Sequence, residues 1–342
     1  MMIPQSIIVI QTAFIGDAVL TLPMIQRLKK QYPESSIDVI AIPRTAEIFR
    51  FHPAVSNVLV YDKRKTDRGI PGILRMIRTL AAHKYDLALV PHRSIRSAII
   101  PALARIPVRV GFDTSAGAFL MTHRAAYRPD LHEIERDLTL LREIGIPQTG
   151  KELPSLYPTE NDDDVVETIL REAGIPAGTP LVAIAPGSVW ATKRWLPERY
   201  AGLIATLYGK GIRSVLVGGK EDEALCSRIS SDSGSTALVA AGRLTLLQSA
   251  ALLRRAKVLV TNDTAPMHLA VAVRTPVVAV FGATVPAFGF SPYGESDTIV
   301  EIAGLSCRPC SIHGGNRCPI GTFDCMERIS MHTVLEEVFK KT

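Results

Sequence analysis

SIIVIQTAFIGDAVLTLP, residues 6–23, joins a short apolar run to the start of a longer amphipathic segment. The run Ser6–Gln11 predicts a strand, and the Gly16-Asp17 pair marks a turn into a predicted helix over Asp17–Gln31. The strand lacks the alternation of apolar and polar residues that a half-exposed strand shows. Such unbroken runs are typical of parallel sheets covered by helices on both faces, which indicates a doubly wound α/β fold.

The same succession of apolar runs and amphipathic segments continues along the chain. The predicted strands are Ser6–Gln11, Ile37–Ile42, Asn57–Tyr61, Asp86–Pro91, Leu181–Pro186, Ser214–Gly218, Val258–Thr261 and Val277–Phe281. The predicted helices are Asp17–Gln31, Gly72–His83, Pro197–Lys210, Thr245–Arg255 and Ala265–Val273.

This pattern occurs twice, and a different kind of sequence separates the two occurrences. Residues 148–179 contain Pro154, Pro158 and the acidic run Asp162–Asp164, which are typical of a connecting segment. A chain of 342 residues is also long for a single core. We therefore expect two Rossmann-like doubly wound domains, residues 1–160 and 175–342, facing a central cleft where a ligand binds.

Composition and charge limit the classes of function. No stretch approaches the roughly 18–20 apolar residues of a membrane span, and the start lacks the features of a signal peptide, so a cytoplasmic protein is expected. Residues 1–150 contain 20 Lys and Arg against 13 Asp and Glu, whereas residues 151–342 contain 19 against 20. The basic first half favours an anionic partner. Aromatic residues make up only 6%, so a nucleic-acid groove with stacking platforms is not expected.

Asp17 follows the first predicted strand, at the start of a helix. One interpretation is a helix cap, in which its carboxylate accepts backbone N–H groups. The other is a general base that takes a proton from a substrate hydroxyl. In either case the helix dipole is expected to lower its pKa and keep it ionised. The adjacent Gly16 is placed among the ligand-binding candidates.

Two loops of the second half predict anion binding. The strand over Leu181–Pro186 leads into GSVWATKRWLPE, in which Ser188 and Thr192 accompany the positive charge of Lys193. That combination suits a diphosphate, although an ordinary basic surface loop fits equally well.

The second loop is NDTAPMH, residues 262–268, at the predicted start of a helix. Asn262 or Asp263 is expected to cap the helix, while free N–H groups from Thr264 and Ala265 onward bind an anion. His268 lies one turn further, where a histidine is either structural or catalytic.

Two further groups of residues have less specific patterns. The acidic residues Glu221, Asp222 and Glu223 follow the turn after Ser214–Gly218, and a carboxylate there fits a ribose site or an acidic helix start equally well. Four cysteines fall within 19 residues: Cys307, Cys310, Cys318 and Cys325. In a cytosolic protein their spacing favours a structural zinc site, with two disulfides or four free thiols as alternatives.

Taken together, the motifs resemble glycosyltransferase family 9, the ADP-heptose:lipopolysaccharide heptosyltransferases, and in particular the heptosyltransferase II type. The similar stretches span nearly the whole chain in the expected order. They are QTAFIGDAVLTLP, YDLALVPHRSIRSAIIPALARIPVRVGF, LHEIERDLTLLREIG, PGSVWATKRWLPERYAGL and VTNDTAPMHLAVAVRTPVVAVFGAT.

The resemblance implies a GT-B fold, with the acceptor bound by the first domain and the nucleotide sugar by the second. It implies inverting transfer of heptose from ADP-heptose without a metal cofactor. Asp17 would be the catalytic base, and Glu223, or alternatively Glu221, would bind the ribose. The remaining donor-binding residues would be Gly16, Ser188, Thr192, Lys193, Asp263, Thr264, Ala265 and His268. Ala265 departs from the family, which usually has glycine there; a Cβ could crowd the phosphate.

The acceptor that the resemblance implies is a phosphate-bearing lipid A–core oligosaccharide, which agrees with the basic first half. Arg93, Ser94 and Arg96 are the acceptor-binding candidates. The enzyme would act as a peripheral protein at the cytoplasmic face of the inner membrane. Two alternatives remain: a GT-B transferase with another nucleotide sugar or acceptor, and a non-catalytic nucleotide-binding protein.

Overall fold

The computed structural model describes residues 3–342 and divides into two units, the first ending at Ser155 and the second beginning at Leu156. The expected domains left residues 161–174 between them. In the structure, helix α7 (Glu160–Glu172) fills most of that segment and belongs to the second unit. Its acidic first turn is a helix start in which Thr159 accepts the N–H of Asp162, and not part of a connecting segment.

The first unit is a six-stranded parallel sheet with helices. Its strands are β1 (Ser6–Gln11), β2 (Ser36–Ala41), β3 (Asn57–Val60), β4 (Leu87–Val90), β5 (Val108–Phe112) and β6 (His123–Ala125). Its helices are α1 (Ile15–Leu20), α2 (Leu22–Gln31), α3 (Ala46–Arg50), α4 (Gly69–His83), α5 (Ile95–Leu103) and α6 (Glu133–Arg142). The strand order is β3-β2-β1-β4-β5-β6.

The second unit repeats this topology. Its strands are β7 (Leu181–Ala185), β8 (Arg213–Leu216), β9 (Ala237–Val239), β10 (Val258–Asn262), β11 (Val277–Phe281) and β12 (Thr298–Glu301). After α7 its helices are α8 (Pro197–Tyr208), α9 (Glu223–Asp232), α10 (Leu246–Arg255), α11 (Ala265–Ala272), α12 (Asp324–Glu327) and α13 (Met331–Phe339). The order β12-β11-β10-β7-β8-β9 places β7 and β10 where the first unit has β1 and β4.

The central strands are buried on both faces, as the sequence predicts. Ile7–Ile10 of β1 and Leu181–Ile184 of β7 have no solvent exposure. Each central strand pairs in parallel with two neighbours; Val9, for example, lies opposite Val39 and Leu89. The crevice at the carboxyl ends of such strands, where the strand order reverses, is the usual ligand site of a Rossmann-like unit.

The predicted helix Asp17–Gln31 is wrong in one respect, because it is two helices. α1 ends before Thr21 and α2 begins at Leu22. Pro23 has no N–H to donate to an earlier turn, so it is tolerated near the start of a helix but not inside one. The break leaves Thr21 fully buried between α1 and α2.

No helix within residues 3–342 is both long enough and apolar enough to cross a bilayer.

Candidate functional site

Asp17 lies in the first turn of α1, directly after the loop that leaves β1. Its Oδ2 accepts the N–H of Phe14 at 3.1 Å, so the carboxylate does stabilise the helix start. Burial, and then the charge of Glu133, raise the pKa of Asp17 to about 6 despite the backbone N–H bonds. The expected lowering by the helix dipole is therefore wrong, because α1 has only six residues and the desolvation is larger. A carboxylate with a pKa near 6 is a better base at neutral pH than an ordinary aspartate.

A series of buried hydrogen bonds links the loop between β1 and α1 to α6. Gln11 accepts the N–H of Ala13 at 3.1 Å and donates to the Thr21 hydroxyl at 2.7 Å. Thr21 in turn donates to Oδ2 of Asp137 on α6 at 2.7 Å. Asp137 is 1% exposed, and burial followed by the Glu133 charge raises its pKa well above the ordinary value. The sequence did not indicate these hydrogen bonds, since Asp137 lies 116 residues after Thr21.

Positive charge gathers at the same loop. Lys63 donates to the carbonyl of Thr12 at 2.7 Å, and burial together with the charges of Arg96 and Arg64 lowers the pKa of Lys63. His92 approaches the Thr12 hydroxyl at 3.4 Å, and burial with the nearby Lys63 and Arg93 charges lowers its pKa to about 4. His92 is thus neutral at pH 7, and the lysine and arginines carry the charge. Lys63 was not among the predicted acceptor residues.

The three predicted acceptor residues have different surroundings. Ser94 is the N-cap of α5 and accepts the N–H of Arg96 at 3.2 Å. The Arg93 guanidinium lies 4.0 Å from the centroid of the Tyr127 ring. Arg93 and Arg96 are exposed. Capping of α5 is therefore a structural role for Ser94. The acceptor-binding role of all three residues stays a prediction.

In the second unit, Lys193 and Asp263 form an ion pair. Lys193 ends a short 3-10 turn, Ala191–Lys193, and its Nζ lies 2.5 Å from Oδ2 of Asp263. The Thr284 hydroxyl donates to the same oxygen at 2.7 Å. Both charged side chains are largely buried. The two predicted anion loops therefore meet, which the sequence could not establish.

The capping expected of Asn262 or Asp263 is wrong. The N-cap of α11 is Thr264, and its side chain forms no capping hydrogen bond with the first turn. The partially positive helix start carrying Thr264 and Ala265 is thus available to an anion. Ala265 is itself helical and needs no glycine for its backbone. His268 is buried one turn further along.

Asn262 ties three segments of the second unit together. Its Oδ1 accepts the N–H of Trp195 at 2.9 Å and the hydroxyl of Tyr200 at 3.0 Å, and its Nδ2 donates to the carbonyl of Pro186 at 2.8 Å. Asn262 has no solvent exposure. It therefore fixes both ends of the loop that carries Lys193 relative to β10.

We expect Asn262→Ala to lower the free energy of unfolding by about 2–4 kcal/mol, because three buried polar groups lose their partner. Denaturant unfolding measures this. Asn161→Ala is the control, since Asn161 is exposed on α7. Equal midpoints for the two variants would contradict the assignment.

The loop after β7 is held by residues that the sequence did not single out. Arg194 donates twice to the carbonyl of Ser188, at 2.8 and 2.6 Å. Asp222 packs against Gly187 so closely that a Cβ on Gly187 would lie 2.1 Å from its Oδ1. Glycine at 187 is therefore required by close packing. The ligand-binding role of Ser188 stays a prediction.

Of the two ribose candidates, Glu221 lies in the turn before α9 and Glu223 is the first residue of that helix. Glu223 forms an ion pair with Lys220 and is about half exposed. Glu221 covers Gly219, where a Cβ would lie 2.5 Å from its Oε2. Glu223 is thus in contact with solvent, where its carboxylate can accept hydroxyl groups. Its ribose-binding role stays a prediction.

Residues 307–325 are here called the cysteine segment. The four cysteines that this segment contains are all free thiols. Cys325 packs in the core from α12. Backbone N–H groups of residues 320–323 bond to the Cys318 thiol and lower its pKa. Within residues 3–342 no three His, Cys, Asp or Glu side chains are placed to hold a metal ion. The structural zinc site favoured by the cysteine spacing stays a prediction.

Comparison with known proteins identifies the family of this chain. Residues 73–316 match glycosyltransferase family 9 (heptosyltransferase). The chain is 30% identical over 281 residues to lipopolysaccharide heptosyltransferase 3 of Escherichia coli, covering 79% of this chain and 82% of that protein. It belongs to glycosyltransferase family 9 and is a glycosyltransferase.

Solved structures show the same fold. A family 9 glycosyl transferase from Veillonella parvula superimposes with a TM-score of 0.90 at 22% identity, covering 98% of this chain and 96% of the other. The E. coli ADP-heptose lps heptosyltransferase II superimposes with a TM-score of 0.80 at 24% identity, covering 98% of each chain. The expected GT-B fold is thereby confirmed.

Proposed function

We propose that this enzyme transfers heptose, with inversion and without a metal, from ADP-heptose to the inner core of lipopolysaccharide. Its family membership supports heptose as the transferred sugar. The names of its relatives, lipopolysaccharide heptosyltransferase 3 and ADP-heptose lps heptosyltransferase II, support the donor and the acceptor. The observation that carries the mechanism is the pairing of Lys193 with Asp263 beside the uncapped start of α11.

The second unit binds the donor in this proposal. The ammonium group of Lys193 and the free N–H groups at Thr264 and Ala265 accept the diphosphate, and Glu223 accepts the ribose hydroxyls. Asp263 holds the lysine side chain in place through its ion pair. These fixed charges also stabilise the ADP that leaves, which is the task that a metal performs in other transferases.

The first unit supplies the base and binds the acceptor. Asp17 takes the proton of the acceptor hydroxyl while that oxygen attacks the anomeric carbon, and the bond to the diphosphate oxygen breaks with its electron pair leaving on ADP. Attack on the face opposite ADP inverts the anomeric centre. Lys63, Arg93 and Arg96 attract the acceptor phosphates, and the same charge favours the anionic cytoplasmic face of the inner membrane.

Calorimetry with a panel of nucleotide sugars tests the donor. We expect binding of ADP-heptose and ADP, and much weaker binding of UDP-sugars. Preferential binding of a UDP-sugar would favour a transferase with another donor, and binding of donor without any turnover would favour a non-catalytic nucleotide-binding protein.

We also expect EDTA to leave the transfer rate unchanged, because Lys193 and the start of α11 supply the charge that the leaving group needs. The assay compares rates with EDTA and with added Mg²⁺. A rate that disappears with EDTA and returns with Mg²⁺ would contradict metal independence.

Metal analysis of purified protein, with and without reductant, separately tests the predicted zinc at Cys307, Cys310, Cys318 and Cys325.

A further inference from the structure

Two hydrogen bonds join the cysteine segment to the residue before Lys193. Thr192 donates its N–H to the carbonyl of Gly315 at 2.9 Å, and the N–H of Gly315 donates to the Thr192 hydroxyl at 2.8 Å. Thr192 is 4% exposed. Its hydroxyl is therefore engaged with the cysteine segment, and the backbone from which Lys193 extends is fixed in both directions.

The stem of Lys193 also packs against Gly314. A Cβ on Gly314 would lie 3.0 Å from Cγ of Lys193, and the φ of +86° at Gly314 favours glycine. Ser311 holds Gly314 in this place, accepting its N–H at 2.9 Å and donating to its carbonyl at 2.8 Å. The position of the lysine stem is thus set by a turn of the cysteine segment.

The other end of the cysteine segment reaches the partner of Lys193. The N–H of Cys310 donates to the carbonyl of Ala283 at 2.9 Å, and Arg308 donates to the carbonyl of Thr284 at 2.8 Å. Thr284 is the residue whose hydroxyl bonds to Asp263. One segment therefore contacts the supports of both members of the Lys193–Asp263 pair.

We propose that the cysteine segment is a positioning element for the donor diphosphate, acting through Thr192 and Gly314 on Lys193 and through Arg308 on the Asp263 side. The proposal rests on the donor role of Lys193 given above. A lysine stem has many rotamers, and a site that fixes it beforehand binds its anion more tightly. Without these contacts, Lys193 would have to be ordered by the ligand itself.

A pair of glycine substitutions tests the proposal. Gly314→Ala places a methyl group against Lys193. Gly321→Ala imposes a similar backbone cost in the same segment, since Gly321 has a φ of +78° and nothing within 4 Å of the added Cβ. We expect Gly314→Ala to weaken ADP binding roughly tenfold or more in calorimetry, and Gly321→Ala to stay within about twofold of the parent protein. Equal affinities for the two variants would overturn the proposal.

Threonine substitutions give a second test. Thr192→Val removes the acceptor for the N–H of Gly315, and Thr192→Ser keeps it. We expect the valine variant to raise the KM for donor while leaving the KM for acceptor unchanged, and the serine variant to restore the parent value. Thr206→Val on α8 is the control, because the Thr206 hydroxyl bonds only within its own helix to the carbonyl of Gly202. A purely structural role would give no such split between the two KM values.

A measurement without donor separates this proposal from the proposed function. Acetylation of Lys193 by acetic anhydride, followed by mass spectrometry, reports how well the amine is held. We expect faster acetylation in Gly314→Ala than in the parent protein or Gly321→Ala. Equal rates would overturn the positioning role even if ADP binds. If Lys193 is acetylated faster in Gly314→Ala but the parent protein does not bind ADP, the positioning of Lys193 is supported and its role in donor binding is contradicted.

Discussion

Asp17→Asn is expected to lower the rate of heptose transfer by about 10²–10⁴-fold, the usual loss on removing a positioned general base. The amide keeps the shape of the side chain and an oxygen that can still accept the N–H of Phe14. It removes only the capacity to take a proton. Steady-state kinetics with saturating donor measure the effect, and KM for donor is expected to change little.

The parent enzyme should show the titration of this group. Because burial raises the pKa of Asp17 to about 6, its proton is retained below that pH and activity is lost. The rate should therefore rise through pH 6 and level off above it. Glu34→Gln is the control, since Glu34 is exposed in the turn before β2. An Asp17→Asn rate equal to that of the control would leave Asp17 with its helix-stabilising role alone.

Stability should change in the opposite direction to activity. A folded-state pKa above the ordinary value means that the ionised form of Asp17 destabilises the fold at neutral pH. Asp17→Asn is thus expected to be more stable than the parent protein by about 1–2 kcal/mol at pH 7, with the difference vanishing below about pH 4. Chemical unfolding at the two pH values measures it, and also shows that the lost activity is not unfolding.

Lys193→Met is expected to reduce kcat about 10²–10³-fold and to weaken ADP binding, because the charge that stabilises the leaving diphosphate is gone. The methionine keeps most of the apolar stem. It also leaves the largely buried Asp263 without its cation, which costs stability on its own. The double variant Lys193→Met, Asp263→Asn removes that unpaired charge.

The double variant separates the two consequences of losing Lys193. We expect it to recover stability relative to the single variant while activity stays low. Lys210→Met is the control, because Lys210 is exposed just after α8. Recovery of transfer in the double variant would show that Lys193 only neutralises Asp263.

The sequence predicted the parts of the fold that depend on local pattern. The runs that became β1, β7 and β11 are apolar and long enough to be recognised, and their bounds are those expected or within one residue. Short strands such as β9, with three residues, were missed because so few residues carry no reliable pattern.

The candidate site residues were likewise predicted only where they follow a local pattern. The loops carrying Asp17, Lys193 and Asp263 were found because each follows a strand at its carboxyl end. The raised pKa of Asp17 could not be predicted, since it depends on Glu133 and on desolvation that only the folded chain provides. The buried partners Asn262 and Asp137 were missed as supports for the same reason: their contacts join residues distant in sequence.

The most direct test of the account is the transfer of heptose from ADP-heptose to a heptose-deficient lipid A–core acceptor, with the anomeric configuration of the product determined by NMR. We predict transfer by the parent enzyme with inverted configuration, and almost none by Asp17→Asn. Retained configuration, or equal transfer by the two proteins, would contradict a mechanism in which Asp17 activates the acceptor hydroxyl.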